Sequence, residues 1–550
     1  LVIALAQAIF LTGAAAQVSE RHISRGPAHA KLSEDTRTPA ARANRGGAPV
    51  VVDVDAEPQD MIVQYTGELL DQDVEEVRRA GAEVRGLNRA GRVAHVRMSR
   101  RQALQLADDP NVYYISPDRE VRASGIYDYS VATVGALTAQ TSGYNGAGIG
   151  VAIIDSGVTA DQLDLRNGAC SATRVVYSKD FVTWENVGWD KFGHGTHVAG
   201  IVGGNGVCAA RAQGSTYKGF PGVAPAVNII SLRALDSKGV GKDSSVIAAV
   251  DHAISVKNTY NIRVINVSLG RVVMESYKLD PLCQAVERAW RAGIVVVVAA
   301  GNNGRDNSMQ TAGYSTITSP GNDPFVITVG AMNDMATPGK SDDKMVSYSS
   351  KGPTLLDQVV KPDLVAPGNR VVSLKPQSSY LQATYAANEI PGNWQTGVPY
   401  TAYFVLSGTS MAAPMVSGAA ALLLQQDSSL TPDQVKARLM KTASKSFPAS
   451  STGIDPSTGI SYISYPDAFT VGAGYLDIPA ALNSTEKIAS NQSAKSPKAV
   501  KNGTNVTFAY DSSDTAGLGI VWGTGVVWGT GVVWGTASPF SDATEVGGDR

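Results

Sequence analysis

Short, almost wholly apolar runs recur through the middle of this chain, at 150–154, 227–232, 264–267, 294–299 and 326–329. Between them, apolar residues return every three or four positions, at 198–202, 244–256 and 280–292. Apolar runs without alternation predict strands buried on both faces, and the 3.6-residue period predicts helices. Their alternation predicts an α/β fold with a mostly parallel central sheet and helices against it, three layers in all, over 127–482. Two later helices fit the same scheme. One is the small and apolar stretch 411–424 that comes after Leu406-Ser407-Gly408-Thr409-Ser410. The other has Thr431 as N-cap and Pro432 at its first position, and runs to about 442.

Upstream the pattern differs. Strand patterns at 61–65, 93–98 and 112–115 and helical patterns at 71–80 and 99–107 predict a small α+β unit over 51–122. Residues 1–16 are apolar, uncharged and end in Ala14-Ala15-Ala16, which predicts the core and cleavage site of a secretory signal rather than a membrane span. The basic, apolar-poor stretch 17–50 predicts a disordered spacer. From 483 to 550 the composition turns to Ser, Asn, Lys, Gly and Thr, and a Trp-Gly-Thr unit repeats around Trp522, Trp528 and Trp534. Such a low-complexity tail is read as a small β element, as an attachment tag or, equally, as a floppy segment without structure of its own.

Composition narrows the function classes. With 550 residues, 43% hydrophobic, 17% charged and a formal net charge of -2, the chain is an ordinary multi-domain globular protein. That balance argues against bulk nucleic-acid binding, and no later apolar run is long enough to span a membrane. The three cysteines lack any CxxC or zinc spacing. Cys170 and Cys208 lie in loop-like sequence and can pair if the protein is exported, whereas Cys283 opens a helical pattern and reads as a buried thiol.

Three stretches carry chemistry. Asp155 comes directly after the run 150–154, and the functional crevice of an open α/β sheet lies outside the carboxyl ends of its strands. Phe192-Gly193-His194-Gly195-Thr196-His197 puts two histidines at a helix start. Without HExxH or a carboxylate within the motif, one base and one packed histidine account for them better than a metal pair. Ser410 sits at the start of a buried helix. A serine hydroxyl is a weak nucleophile until an imidazole takes its proton, and that imidazole needs a carboxylate to fix its tautomer.

With Asp155, His194 and Ser410 in that chain order, the sequence resembles the subtilisin-like serine endopeptidases, the subtilase family, over 148–482. The resemblance implies that His194 is the base, His197 structural, and Asn302 in Gly301-Asn302-Asn303-Gly304 the oxyanion donor. It implies substrate walls at Gly239, Val240, Gly241, Ser268, Leu269 and Gly270, with Ala299, Ala300 and Gly301 along the pocket for the residue before the scissile bond. The unit over 51–122 would be a propeptide that inhibits its own enzyme until cleavage between 121 and 125. No cofactor is needed for the chemistry. A structural calcium is implied at Asp164, although 204–219 departs from the family's calcium loop. Arg271, where the family often has glycine, implies an altered pocket rim, and 378–403 is an extension without an assigned role. The implied protein is a secreted monomer acting on proteins and peptides. Two rivals are a sedolisin-type peptidase, against which His194 and Asn302 argue, and a catalytically silent protein that attaches through its repeats.

Overall fold

A computed structural model describes residues 31–32, 58–118, 128–186, 190–213, 219–376, 378–390, 402–489, 492–502, 505–510 and 548–549. These fall into two compact units, one comprising 31–32 and 58–118, the other beginning at 128. The expected signal at 1–16, the cleavage region 121–125 and the tryptophan repeats lie outside the described residues.

The smaller unit is an antiparallel sheet with two helices. Its elements are β1 (Gln59–Tyr65), α1 (Asp71–Arg79), β2 (Glu83–Asn88), β3 (Val93–Met98), α2 (Arg100–Leu106) and β4 (Val112–Pro117), with strand order β2-β3-β1-β4. Alternation along β1 and β3 sends Met61, Val63, Val96 and Met98 into one core with Val77 of α1. Ser99 and Gln102 cap α2 reciprocally, each side chain accepting from the other's backbone N–H. The unforeseen strand β2 (EVRGLN) has no fully buried residue, so its pairing with β3 leaves no apolar pattern to read. The spacer expectation is corrected at two positions. Ile115 donates to the Lys31 carbonyl at 2.8 Å, and Leu32 is fully buried beside β4. One apolar residue among charged neighbours has no periodicity to betray it.

In the larger unit the five apolar runs are strands: β5 (Gly150–Asp155), β7 (Asn228–Arg233), β8 (Ile262–Val267), β9 (Val295–Ala299) and β10 (Ile327–Asn333). With β6 (Val175–Asp180) and the short β11 (Lys344–Met345) they form a sheet in the order β11-β10-β9-β8-β5-β7-β6, with β12 (Leu364–Pro367) also paired to β10. Only the β10–β11 pair is antiparallel. Helices α3 (His194–Gly203), α4 (Asp243–Tyr260), α5 (Pro281–Arg291), α6 (Thr409–Gln426) and α7 (Pro432–Thr442) flank it. α6 packs on α3, β8, β9 and β10, while α4 and α5 pack on each other. Its residues 409–424 are all buried, which their small side chains permit. At Gly418 an added Cβ would come within 2.5 Å of Val223 Cβ.

Asp280 caps α5 and Thr431 caps α7, the latter with Gln434 in a capping box. The two loop cysteines, Cys170 and Cys208, are disulfide-bonded, and Cys283 is a thiol held protonated by burial and by the nearby Asp323 and Asp280. Two short antiparallel pairs complete the described strands before residue 483, β13 (Val371–Leu374) with β14 (Tyr403–Leu406) and β15 (Ser451–Ile454) with β16 (Ser461–Ser464). The stretch expected to be a low-complexity tail is in part packed structure. Strands β17 (Lys498–Asn502) and β18 (Asn505–Ala509) pair as a hairpin. Backbone bonds from Val360 N–H to Pro497 O and from Ala499 N–H to Gln358 O fix the hairpin to the unit. Backbone pairing of this kind is blind to composition. No helix among the described residues is long and apolar enough to cross a membrane.

Candidate active site

The parallel strands all end on one side of the sheet, and the sequence puts its chemistry just past those ends. Asp155 closes β5, Ser268 comes directly after β8, and Asn302 three residues after β9. α6 delivers Ser410 at its second residue.

Asp155 is fully buried, and its carboxylate oxygens lie 2.8 and 2.9 Å from His194 Nδ1. The Ser156 N–H donates to Asp155 Oδ1 at 2.7 Å, which fixes the carboxylate from behind. His194 heads α3, where Gly195 permits close approach to the sheet: a Cβ there would lie 2.2 Å from the Gly157 carbonyl. Sequence reasoning missed Asp190. Its buried carboxylate accepts from Gly193 N–H and Thr196 N–H at the start of α3, and from the Ser156 hydroxyl at 2.8 Å. Burial raises its pKa, and these hydrogen bonds and the helix N-terminus oppose the rise. Asp190 thus ties the backbone that carries Asp155 to the backbone that carries His194.

His197 lies in the core, with Nε2 3.0 Å from the Phe404 carbonyl. Burial, reinforced by the neighbouring His194, lowers its pKa to about 3. The unfolded chain takes up this proton near pH 6.5 and the native chain does not, so stability present above that pH is lost as the pH falls toward 3. His197→Gln should therefore reduce the pH slope of unfolding free energy between pH 6 and 4 by about 1.4 kcal/mol per pH unit. Denaturant midpoints across that range test this, and parallel slopes in the two proteins would refute it.

Around Ser410 the local sequence again explains the geometry. Pro414 has no N–H to donate to the Ser410 carbonyl one turn back, and the Ser268 hydroxyl takes that acceptor at 3.0 Å. The Ser410 hydroxyl in turn donates to the Ser268 carbonyl at 3.1 Å. Asn302 Oδ1 accepts from both the N–H and the hydroxyl of Thr409, at 2.9 and 3.1 Å. Two donors on one side settle which end of the amide is oxygen, so the Nδ2 group faces the other way, toward Gly408. As the oxyanion donor that the resemblance implies, Asn302 is expected to act chiefly in the transition state, so Asn302→Ala should lower kcat about 10²–10³-fold with little change in KM. Steady-state kinetics on a peptide amide test it, and a loss confined to KM would contradict it.

A groove of about 650 Å³ is lined by His194, Asn302 and Ser410. Gly239, Val240, Gly241, Ser268, Leu269, Gly270, Ala299 and Gly301 also line it. Ala300 does not line it. Its N–H donates to Val329 O and its carbonyl accepts from Thr318 N–H, which turns it into the sheet. Thr318 reaches the groove beside it. Arg271 also lines the groove, held by Asp243 at 3.0 Å and Asp280 at 2.9 Å, so the altered rim is a fixed ion-pair network. The extension after 378 has a place as well. Its helix Tyr380–Thr384 bonds to the carbonyls of Lys191 and Phe192, the Tyr380 ring stacks on Phe192, and Tyr380, Leu381 and Tyr385 line the groove.

Asp164 is engaged by protein donors. Its oxygens accept from Ala209 N–H and the Tyr403 hydroxyl, and the carbonyls of Arg166, Val227, Asp164 and Gly203 accept from the Arg174 guanidinium. A cation side chain among the carbonyls and a hydroxyl on the carboxylate do not fit the oxygen shell that calcium takes. Among the described residues no three His, Cys, Asp or Glu side chains are grouped to hold a metal.

A model of the subtilase family matches residues 146–461, more than half of the chain and all of the elements just described around the groove. The chain is 35% identical to serine protease AprX of Bacillus subtilis (strain 168) over 347 residues, which cover 62% of this chain and 71% of that protein. It is 35% identical to subtilisin DY of Bacillus licheniformis over 316 residues, covering 57% of this chain and 90% of the relative. With subtilisin E of Bacillus subtilis (strain 168) the figures are 34% over 343 residues, 62% and 72%. The chain belongs to the subtilase family and is a serine protease.

Proposed function

We propose that this protein is an exported endopeptidase in which Asp155, His194 and Ser410 form the catalytic triad and Asn302 the oxyanion site. The observation that carries this reading is His194 Nδ1 held against both Asp155 oxygens, with His194, Ser410 and Asn302 on one groove. Asp155 keeps a proton on Nδ1, which leaves the Nε2 lone pair for chemistry. The Ser410 hydroxyl turns from the Ser268 carbonyl, gives its proton to His194 Nε2 and attacks the scissile carbonyl carbon. The oxyanion accepts from Asn302 Nδ2 and the Ser410 N–H. Collapse of this intermediate breaks the C–N bond, and His194 returns the proton to the leaving amine. Water then repeats the sequence on the acyl-enzyme.

An extended substrate lies as an added strand between residues 239–241 and 268–270, so its affinity comes mainly from main-chain pairing. The compact unit formed by 58–118 acts as the propeptide and inhibitor, removed by Ser410 between 121 and 125. The apolar stretch 1–16 and the Cys170–Cys208 disulfide both favour export to an oxidising compartment. Labelling with a fluorophosphonate and peptide mass mapping tests the reading. The adduct is expected on Ser410 alone, and its absence there, or its presence in Ser410→Ala, would reject the assignment.

A further inference from the structure

Far along the sequence from the catalytic motifs, Gly548 and Asp549 occupy a buried site in the larger unit, Asp549 being only 3% exposed. Its carboxylate is gripped by three groups. Arg305 Nη2 donates to Oδ1 at 2.8 Å, the Ser347 hydroxyl donates to Oδ1 at 2.7 Å, and the Ser347 N–H donates to Oδ2 at 2.6 Å. Arg305 is itself oriented, donating from Nε to the Ser347 hydroxyl at 2.8 Å and lying 3.3 Å from Asp455. The backbone is read as well. Asn369 Oδ1 accepts from Asp549 N–H at 2.8 Å, and Asn369 Nδ2 donates to the Asp549 carbonyl at 3.1 Å.

The fit extends to the glycines. Gly548 has φ +66, and a Cβ on it would meet Asn369 Oδ1 at 2.3 Å and Ser407 Oγ at 2.5 Å. On the opposite wall, a Cβ on Gly453 of β15 would lie 2.2 Å from Asp549 Oδ2. The site therefore selects a glycine and then an acidic residue, using segments that are distant in sequence: the loop after β9, the residues after β11 and β12, and β15. Charge-assisted bonds to a buried carboxylate are the strong class of hydrogen bond, and three donors converge on this one.

We propose that Arg305, Ser347 and Asn369 form a docking site for a Gly-Asp segment, filled in cis by Gly548–Asp549. Nothing in the catalytic cycle uses it. Its consequence is for the tryptophan repeats at 520–536: the stretch bearing them starts at the β17–β18 hairpin and returns at Asp549, and both ends are fixed to the same unit. A cut within the repeats then does not release the residues on its C-terminal side.

The test uses the full-length chain carrying Ser410→Ala, with and without Asp549→Ala, nicked after the repeat tryptophans by added chymotrypsin and passed over a sizing column. The fragment ending beyond Asp549 should stay with the first chain and separate from the second. Arg305→Gln should reproduce the loss. A peptide Val-Gly-Gly-Asp-Arg should rebind the stripped chain, and its Asp→Asn version at least about tenfold more weakly. Retention of the fragment by both chains, or its loss from both, would overturn the proposal, as would equal binding of the two peptides. A dimer seen for the first chain and not for Asp549→Ala would keep the site but move its occupant to a second copy, which overturns docking in cis.

Discussion

Replacing Ser410 with alanine should lower kcat on the order of 10⁶-fold, the scale of loss when the nucleophile of a subtilisin is removed. It should also leave the secreted precursor uncut. The first effect is expected because, among the described residues, no other hydroxyl is on the groove beside both His194 and Asn302 in a position that a buried helix start fixes; Thr409 Oγ1 is already engaged with Gly301 N–H and Asn302. The substitution is mild for the fold. It removes one hydrogen bond, to the Ser268 carbonyl, worth about 1 kcal/mol, so the melting temperature should fall by only a few degrees. The intact masses of wild type and Ser410→Ala, both secreted from a protease-deficient host, read the second effect. Wild type should lose everything through about 122, and Ser410→Ala should keep it. If both chains mature alike, another protease processes the precursor, and if wild type also stays uncut, self-processing is wrong. The turnover number on a peptide amide is measured separately, so triad and propeptide can fail independently.

The apolar-run strands, the longer helices and the three candidate-site motifs were legible because each is a local pattern. Five apolar runs became β5, β7, β8, β9 and β10, within a residue or two at the starts and up to four at the end of β10. Asp155, His194 and Ser410 each stand at an element's end, where short motifs carry most information. What escaped was built by convergence of distant segments. Asp190 reaches Ser156 and the start of α3 from a loop whose sequence resembles any other. Thr409 orients Asn302 across 107 residues. Ala300 was assigned to the substrate wall by its neighbours, yet alternation along an extended segment turns it away from Ala299 and Gly301. The docking of Asp549 was equally invisible, because a Gly-Asp pair in a polar tail looks like a turn until Arg305, Ser347 and Asn369 are brought around it. The partners of Asp164 were hidden for a related reason: spacing from Asp155 located the carboxylate, but its bonds to Tyr403 and Ala209 come from distant segments.

Asp155→Asn separates the carboxylate's charge from its shape, and should lower kcat by about 10⁴-fold with the fold intact. The expected cause is the tautomer of His194. In the native site both oxygens face His194 Nδ1, Oδ1 at 2.8 Å and Oδ2 at 2.9 Å, and Oδ1 also accepts from the Ser156 N–H, so an asparagine at 155 that keeps its oxygen there replaces the second of two acceptors with an NH₂ donor. A donor facing Nδ1 disfavours a proton on that nitrogen and drives it to Nε2, where the imidazole can no longer accept from Ser410. The loss of negative charge adds to this, since the imidazolium formed during attack then has no buried counter-charge. Because the groove is untouched, kcat and kcat/KM should fall together, the mark of an interaction used in the transition state. Residual activity from Asn302 and binding alone should still exceed the uncatalysed rate. A loss below tenfold, or one confined to KM, would mean that Asp155 does no more than position the histidine. NMR of the His194 ring nitrogens in Asp155→Asn would then have to find the proton still on Nδ1, so the spectroscopic and kinetic results stand or fall together.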